Sequence, residues 1–514
     1  MSGPDDVSHP IADLAAEAGP GPERPRARQF VAQILIGVAT AQALGLTLRM
    51  PTQIGANDIS RWCTVWSLLE RGSYAIDDCP WQFKTQDKVK KPDKLAPPGP
   101  KDGAIRRFEY AIAPRARKEG EAVDHFYSSK PPLLPTLMAG LLYPIRAATG
   151  VPLDQEIRQQ PSPRNVQKEG ANTFVYETPK DPIRWPASVF YLKPLVVLFN
   201  VTPLWAFLVL YARLLDRHAP NDWAWFLSLF AAAWGSFLFA FDTTLNNHTI
   251  AASSAFFALY AFIRIWSEGV RSGWAFTAAG LFGAFCACNE LPAALFGVLL
   301  FATLLVRFPR RTLLWFVPAA AVPSAAFLAT QFLAFGQFWP VYEEFGTKSY
   351  TYQGSAWNTP LEMDYLNLHP EPYGVYLFHM TLGHHGVFSL TPIFLFSGIG
   401  ALRLLGPRNR LSATAWLTLL LTVAMFAFYT WNPKARNYGG STQGLRWLFW
   451  LIPFWLVLLP EGVEAGQRSR LVRGPSLAAL LISVFSVGYA LRAPWSHPWL
   501  LDALEHLNLY TLKR

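Results

Sequence analysis

Two residues that could do chemistry stand at opposite ends of the first long polar segment, each beside an apolar run. Asp58 lies in "GANDISRW", shortly after the first such run. A helix beginning there puts Arg61 and Trp62 on the face of Asp58, at i+3 and i+4. An acid near a membrane interface can serve as a general base. The competing role is a helix cap, for which Asn57 and Asp58 are equally suited. Lys130 lies in "FYSSKPPLLP". Pro131 and Pro132 suit the first turn of a helix, where backbone N–H groups lack partners, and Ser128 or Ser129 can cap it. The prolines remove two donors from a helix end that favours anions, so an anion there would lean on the lysine, a compact point charge. A phosphate at the bilayer surface is the expected guest. The competing role is a lysine snorkelling to lipid headgroups.

Further along, "NPKARNYGGSTQGLR" carries Arg436 and Arg446 at the point where a polar loop re-enters an apolar run. A guanidinium there can hold phosphate bidentately or anchor the helix at the interface. His248 in "DTTLNNH", Glu290 in "CNELP", and His384 and His385 in "YGVYLFHMTLGHHGVFS" also stand at the ends of apolar runs. They are candidates for sugar or acceptor binding, set against plain structural hydrogen bonding. Cys63 and Cys79 fall in the first long polar segment and could pair if it faces an oxidising compartment. Cys286 and Cys288 lie inside an apolar run and read as packing residues.

The elements that must position these groups are membrane helices. The chain has 514 residues, 51% hydrophobic and 15% aromatic, with 16% charged; a soluble chain carries about 25% charged residues. Apolar stretches of about 20 residues recur, long enough to cross a hydrocarbon core of about 30 Å. The net charge of +10 comes largely from arginines in short loops between these stretches. That is the footprint of membrane orientation rather than of nucleic-acid binding. Residues 1–29, rich in Pro, Gly, Ala and acids, read as a disordered cytoplasmic tail and not as a signal peptide.

The stretch from Pro131 to Ile145 would reach roughly 22 Å as a helix, short of a crossing, and holds Pro135 and Pro144. It reads as a re-entrant or interfacial helix. The remaining apolar runs make about 11 spans, near 30–48, 189–211, 223–241, 249–266, 273–289, 291–306, 312–335, 386–402, 411–430, 446–459 and 476–491. With the N-terminus inside, every cytoplasmic loop bears arginine: Arg213 and Arg217, then Arg264 and Arg271, then the groups at 307–311, 403–410 and 468–473. The expectation is an all-α polytopic membrane protein. Its transmembrane domain runs over 30–492, residues 49–187 form a long first external loop with juxtamembrane helices, and 493–514 form a short external tail. Asp58, Lys130 and the other polar candidates then share the extracytoplasmic face.

An acid soon after the first span, followed by Tyr–x–x–Lys–Pro–Pro–Leu before the second, resembles the first external loop of GT-C glycosyltransferases. That group includes the lipid A aminoarabinose transferases and the protein O-mannosyltransferases. "NDISRWCTVWSLLERGSY" and "FYSSKPPLLPTLMAGLLYP" resemble its two juxtamembrane helices, and "YGGSTQGLRWLFWLIPFWLVLLP" resembles the "YGG…GPRYLLPLLP" segment of bacterial members. The likeness is organisational over most of the chain and motif-level over a small part. It implies a polyprenyl-phosphate sugar donor, membrane lipids as surroundings, and an extracytoplasmic acceptor that is a lipid, glycan or protein. Carried over, Asp58 is the base and Lys130 binds donor phosphate with Arg446 or Arg436. Arg61, Tyr127 and Tyr438 become substrate-binding candidates. Some relatives use a divalent metal, but no tight ligand cluster for one is legible here. The chain departs from the pattern in having Asn57–Asp58–Ile59 where many members have Asp–Glu, and in a basic insertion at 88–122. Two rivals stand beside this reading: a lipid or sugar transporter or flippase, expected to show repeat symmetry and midplane polar residues, and a non-catalytic subunit with the same fold.

Overall fold

The computed structural model describes residues 23–49, 55–85, 88–92, 124–159, 164–167, 174–177, 183–186, 188–344, 349–350, 352, 371–431 and 438–510. The main elements are α1 (Glu23–Arg49), α2 (Ala56–Glu70), α3 (Leu133–Thr149), α4 (Val189–His218), α5 (Asp222–Phe241), α6 (His248–Trp266), α7 (Gly273–Asn289) and α8 (Leu291–Arg307). There follow α9 (Pro309–Phe335), α10 (Tyr373–Thr381), α11 (Ile393–Leu404), α12 (Ser412–Trp431), α13 (Arg446–Gln467), α14 (Arg470–Ala490) and α15 (Trp499–His506).

Eight of these are long and apolar enough to cross a membrane: α1, α4, α5, α6, α9, α12, α13 and α14. Helices α8 and α11 are apolar but shorter. The chain is therefore a helical membrane protein. Large apolar side chains on the rim of the bundle, among them Val306, Leu471 and Leu481, are exposed; in water such a surface would be untenable, and in lipid it costs nothing.

Several boundaries differ from the sequence reading. Helix α1 begins at Glu23, inside the expected tail, because Arg28 pairs with Asp222 at 2.6 Å and lies over the Trp225 ring. Helix α13 runs on through Pro460 to Gln467. The segment after α14 contains α15, held to α14 by Trp499 Nε1 donating to Ser486 Oγ (2.8 Å) and Tyr489 donating to Asp502 (2.6 Å). The first loop is not purely helical. β1 (Lys88–Pro92) pairs antiparallel with β2 (Asp124–Ser128), with Val89 opposite Tyr127. β3 (Glu156–Gln159) pairs with β6 (Ile183–Pro186), enclosing the pair β4 (Arg164–Gln167) and β5 (Phe174–Glu177). These ladders satisfy backbone polar groups in a segment with few helix-forming runs. Most of the basic insertion lies outside the described residues, but Lys91 ties its first strand to Glu344 beyond α9 at 2.6 Å.

Helix α3 is one continuous helix of 17 residues, about 25 Å long. Pro135 falls in its first turn, where a missing N–H costs nothing. The expected serine cap is absent: Pro132 is the N-cap. Its Leu134, Met138 and Leu142 repeat at i, i+4 and i+8 and are buried against Trp62 and Trp66 of α2. Leu137, Leu141 and Tyr143 on the other side are exposed. Such a helix, apolar on both its faces and too short to span, suits the membrane surface. Helix α2 is enclosed rather than lying open, with residues Ser60 to Ser67 all buried. An ion pair from Arg146 to Glu70 (2.8 Å) closes the α2–α3 unit.

At the centre, α11 and α13 cross in backbone contact. A Cβ at Gly462 would meet the Phe396 carbonyl oxygen at 1.8 Å, and one at Gly400 the Leu458 carbonyl oxygen at 2.0 Å. Only glycine admits that approach, as expected where helices associate in lipid.

Candidate active site

The first turn of α2 is built around Asp58. The carbonyl of Gly55 accepts the N–H groups of Asp58 (2.9 Å) and Ile59 (3.0 Å), and Asp58 Oδ2 reaches back to accept the Gly55 N–H at 3.2 Å. This is the reciprocal bond of an N3 acid in a capping box. The same carboxylate takes Arg61 through Oδ1 at 3.1 Å, at the i,i+3 spacing that the sequence indicated. Asp58 is fully buried, and Arg61 is 4% exposed. Gly55, and not Asn57 or Asp58, is the N-cap; Asp58 closes the turn from N3, and the same carboxylate serves that bond and Arg61.

From Arg61 a polar chain crosses into the bundle. Its other terminal nitrogen donates to Asn247 Oδ1 in a short bond, and Asn247 Nδ2 donates to the Asn289 carbonyl (2.6 Å) and to Glu290 Oε1 (2.8 Å). That Glu290 oxygen also meets His248 Nδ1 in a short contact. Asp58, Arg61, Asn247, Glu290 and His248 thus form one connected buried network drawn from α2, the start of α6 and the end of α7. Burial of so many charges is sustained because each has a partner.

Arg446, at the start of α13, sits over the Trp495 ring at 4.9 Å. Trp495 also covers the Asp58 turn: a Cβ at Gly55 would come 3.1 Å from its ring. His248 packs edge-on against Phe449, one helical turn beyond Arg446, with ring centres 6.4 Å apart. The loop before Arg446 folds back over it and is clasped to the segment after α14, with Gln443 donating to Ser496 Oγ (2.7 Å) and to the His497 carbonyl (2.6 Å). Gly444 takes φ +87° there, with the Phe237 ring 2.9 Å from where a Cβ would stand.

The Lys130 turn is pinned to α2 next to Asp58. Ser128 Oγ lies 2.7 Å from Ser60 Oγ, and the Lys130 N–H donates to Ser128 Oγ at 3.2 Å. Tyr127 has apolar neighbours. It packs edge-on against Phe335 at 5.6 Å, in a small apolar cluster with Val89, Val341 and Tyr350. Arg436 lies outside the described residues.

His384 and His385 are not in the Asp58 network. They are fully buried in a second cluster, with His384 stacked on His379 at 4.0 Å and His385 stacked on Tyr438 at 5.0 Å. His497 and Tyr510 complete it, and the hydroxyls of Tyr438 and Tyr510 both donate to Glu371. Burial first, and then the neighbouring imidazoles, push His384 down to about 3 and His385 in the same direction. Tyr438, at φ +54°, joins the two clusters, because the next residue, Gly439, lies against Arg446.

Cys63 and Cys79 stand as thiols buried beside each other under α3. Burial, and after it the Cys79 thiol, pushes Cys63 up. Among the described residues no group of three or more His, Cys, Asp or Glu is arranged to hold a metal ion.

Four residues escaped sequence reasoning. Asn247 was only one of two adjacent asparagines in a turn. Trp495 and His497 lie in what read as a tail. Asp242, just past α5, is also buried, with its carboxyl pushed up by burial against a lesser pull from Thr249. An acid at the end of an apolar run was the available signal for it. No family model, curated protein or solved structure matches the chain, so the functional reading rests on this geometry and on the sequence motifs.

Proposed function

We propose that this protein is an integral-membrane glycosyltransferase of the GT-C kind that moves a sugar from a polyprenyl-phosphate donor to an extracytoplasmic acceptor. The observation that carries the reading is the meeting of Asp58, Arg61, His248, Glu290 and Arg446 in and around one buried network at one end of the bundle, with the Lys130 turn pinned beside it. All eleven apolar segments cross in this reading, with the N-terminus inside. The arginine-bearing loops then face the cytoplasm and the network faces the other side.

In the reaction, the acceptor hydroxyl gives its proton to Asp58 and attacks the anomeric carbon. The bond from that carbon to the phosphate oxygen breaks, and the lipid phosphate leaves with the electron pair. Asp58 takes hydrogen bonds from Arg61 and the Gly55 N–H, which suits the ionised form a base must have. Lys130 and Arg446 stabilise the charge that grows on the leaving phosphate. The polar network at a helix end, rather than at the middle of the bundle, favours this reading over a transporter.

Mass spectrometry of polyprenyl-linked sugars and surface glycans after deletion tests the activity: an unchanged glycan profile with no accumulating donor overturns it. Asp58→Asn is expected to lower turnover by about 10²- to 10⁴-fold while the protein stays monodisperse. Retention of most activity would leave Asp58 as a helix cap alone.

A further inference from the structure

At the opposite end of α13 from Arg446 lies a cavity of about 320 Å³, between α4, the α11–α12 turn and α13. Its floor is apolar. Leu215, Leu404, Leu411 and Val457 line it and are all buried. Tyr211 also reaches the floor, but its hydroxyl donates to the Leu456 carbonyl at 2.6 Å and brings no spare donor.

The mouth is cationic. Arg408 and Arg410 stand on it from the exposed α11–α12 turn. Three neighbouring arginines are already matched by acids: Arg217, which also lines the cavity, and Arg264 share Glu268 at 2.8 and 3.0 Å, and Arg403 faces Glu464 at 3.5 Å. Among the described residues neither Arg408 nor Arg410 has an ion-pair partner. Glu461 is the one carboxylate among the lining residues, so two unpaired guanidiniums outweigh it. His218, on the far wall, is already bonded to Glu268 at 3.0 Å.

A positive mouth above an apolar floor, at the end of apolar helices, matches one kind of molecule. We propose that this cavity binds the phosphate headgroup of an anionic membrane lipid, with the headgroup between Arg408 and Arg410 and the first carbons of its chain on the Leu215–Val457 floor. The volume is at the small end of the about 300–1,000 Å³ typical of ligand pockets. It accommodates a headgroup and a few methylenes and leaves the rest of the lipid in the bilayer. Arginine holds phosphate through paired hydrogen bonds, and basic pockets between membrane helices favour anionic headgroups. The inference is independent of the glycosyl-transfer reading.

The test uses the full chain in nanodiscs of mixed phosphatidylglycerol and phosphatidylcholine, with retained lipid counted by native mass spectrometry. The wild type is expected to retain phosphatidylglycerol in preference by about tenfold or more. Arg408→Ala with Arg410→Ala should lose that preference. So should Leu411→Trp, which fills the floor without touching a charge, whereas Arg403→Ala, outside the cavity, should keep it. Inorganic phosphate at millimolar concentration should not displace the lipid. Equal retention of the two lipids by the wild type, or a preference that survives both the double substitution and Leu411→Trp, overturns the proposal. Displacement by inorganic phosphate assigns the site to free phosphate and overturns the lipid assignment.

Discussion

Asp58 and Lys130 were both legible as residues, but with two roles each. For Asp58 the geometry joins the two, since the carboxylate that closes the helix cap also holds Arg61. For Lys130 the roles part experimentally. If it binds donor phosphate, Lys130→Ala should weaken donor affinity and slow transfer by about tenfold to a hundredfold, the value of one hydrogen bond to a charged group. Lys130→Arg should rescue only in part, because a planar fork does not replace a compact ammonium. A snorkelling lysine predicts full replacement by arginine and an alanine variant altered in stability more than in turnover. Donor affinity and turnover of both variants in nanodiscs decide it, and normal affinity in the alanine variant removes the phosphate role.

At the scale of elements, two features carry predictions. The α11–α13 crossing depends on Gly462, where a Cβ would sit 1.8 Å from a backbone oxygen. Gly462→Ala should therefore cost about 3 kcal/mol or more, seen as aggregation or loss of the folded peak in size-exclusion chromatography. Gly398→Ala on the same α11 meets nothing within 4 Å and should be nearly neutral; equal behaviour of the two would refute the close approach. The second feature is the imidazole cluster at the end of α10 and in the turn after it. Burial first lowers His379, His384 and His385, with the other imidazoles adding to it for the last two and Glu371 opposing it at His379. The folded protein refuses protons that the unfolded chain accepts below the ordinary 6.5. Stability is thus full above 6.5 and falls as the pH drops towards the folded value of about 3 for His384. The slope is about 1.4 kcal/mol per pH unit for each imidazole that refuses its proton. Thermal unfolding between neutral and mildly acid pH should show this loss. His384→Gln with His385→Gln should flatten it, and an unchanged slope would show that the cluster is already solvated.

For the whole molecule, the two ends of the bundle differ in chemistry. Arginines collect at the end holding the Arg408 turn, and the Asp58 network collects at the other, so orientation decides where each works. In a background without native cysteines, Ser267→Cys and Ser412→Cys should be shielded from an impermeant thiol reagent, whereas Ser441→Cys in the loop over Arg446 should react. Labelling of the first from outside would reverse the proposed orientation and move the network to the cytoplasmic side.

The sequence by itself determined the helical membrane class. Hydropathy is a local sum over about 20 residues, and the apolar runs carry it with little help from distant contacts. It also determined the Asp58–Arg61 pair, because i,i+3 neighbours meet on any helix. Other features needed the fold. Arg61 meets Asn247 across 186 positions of sequence, and no periodicity links them. The histidine pair at 384–385 looked like part of the same face, yet packing placed it in a separate cluster. Tyr127 read as a motif tyrosine, and the β1–β2 register turned it towards Phe335. Trp495 and His497 were invisible as site residues because their role comes from a segment folding back over another loop. Local energetics set which segments are helices. Which polar groups then share one buried site depends on how those helices pack, since a buried charge persists only where packing brings it a partner.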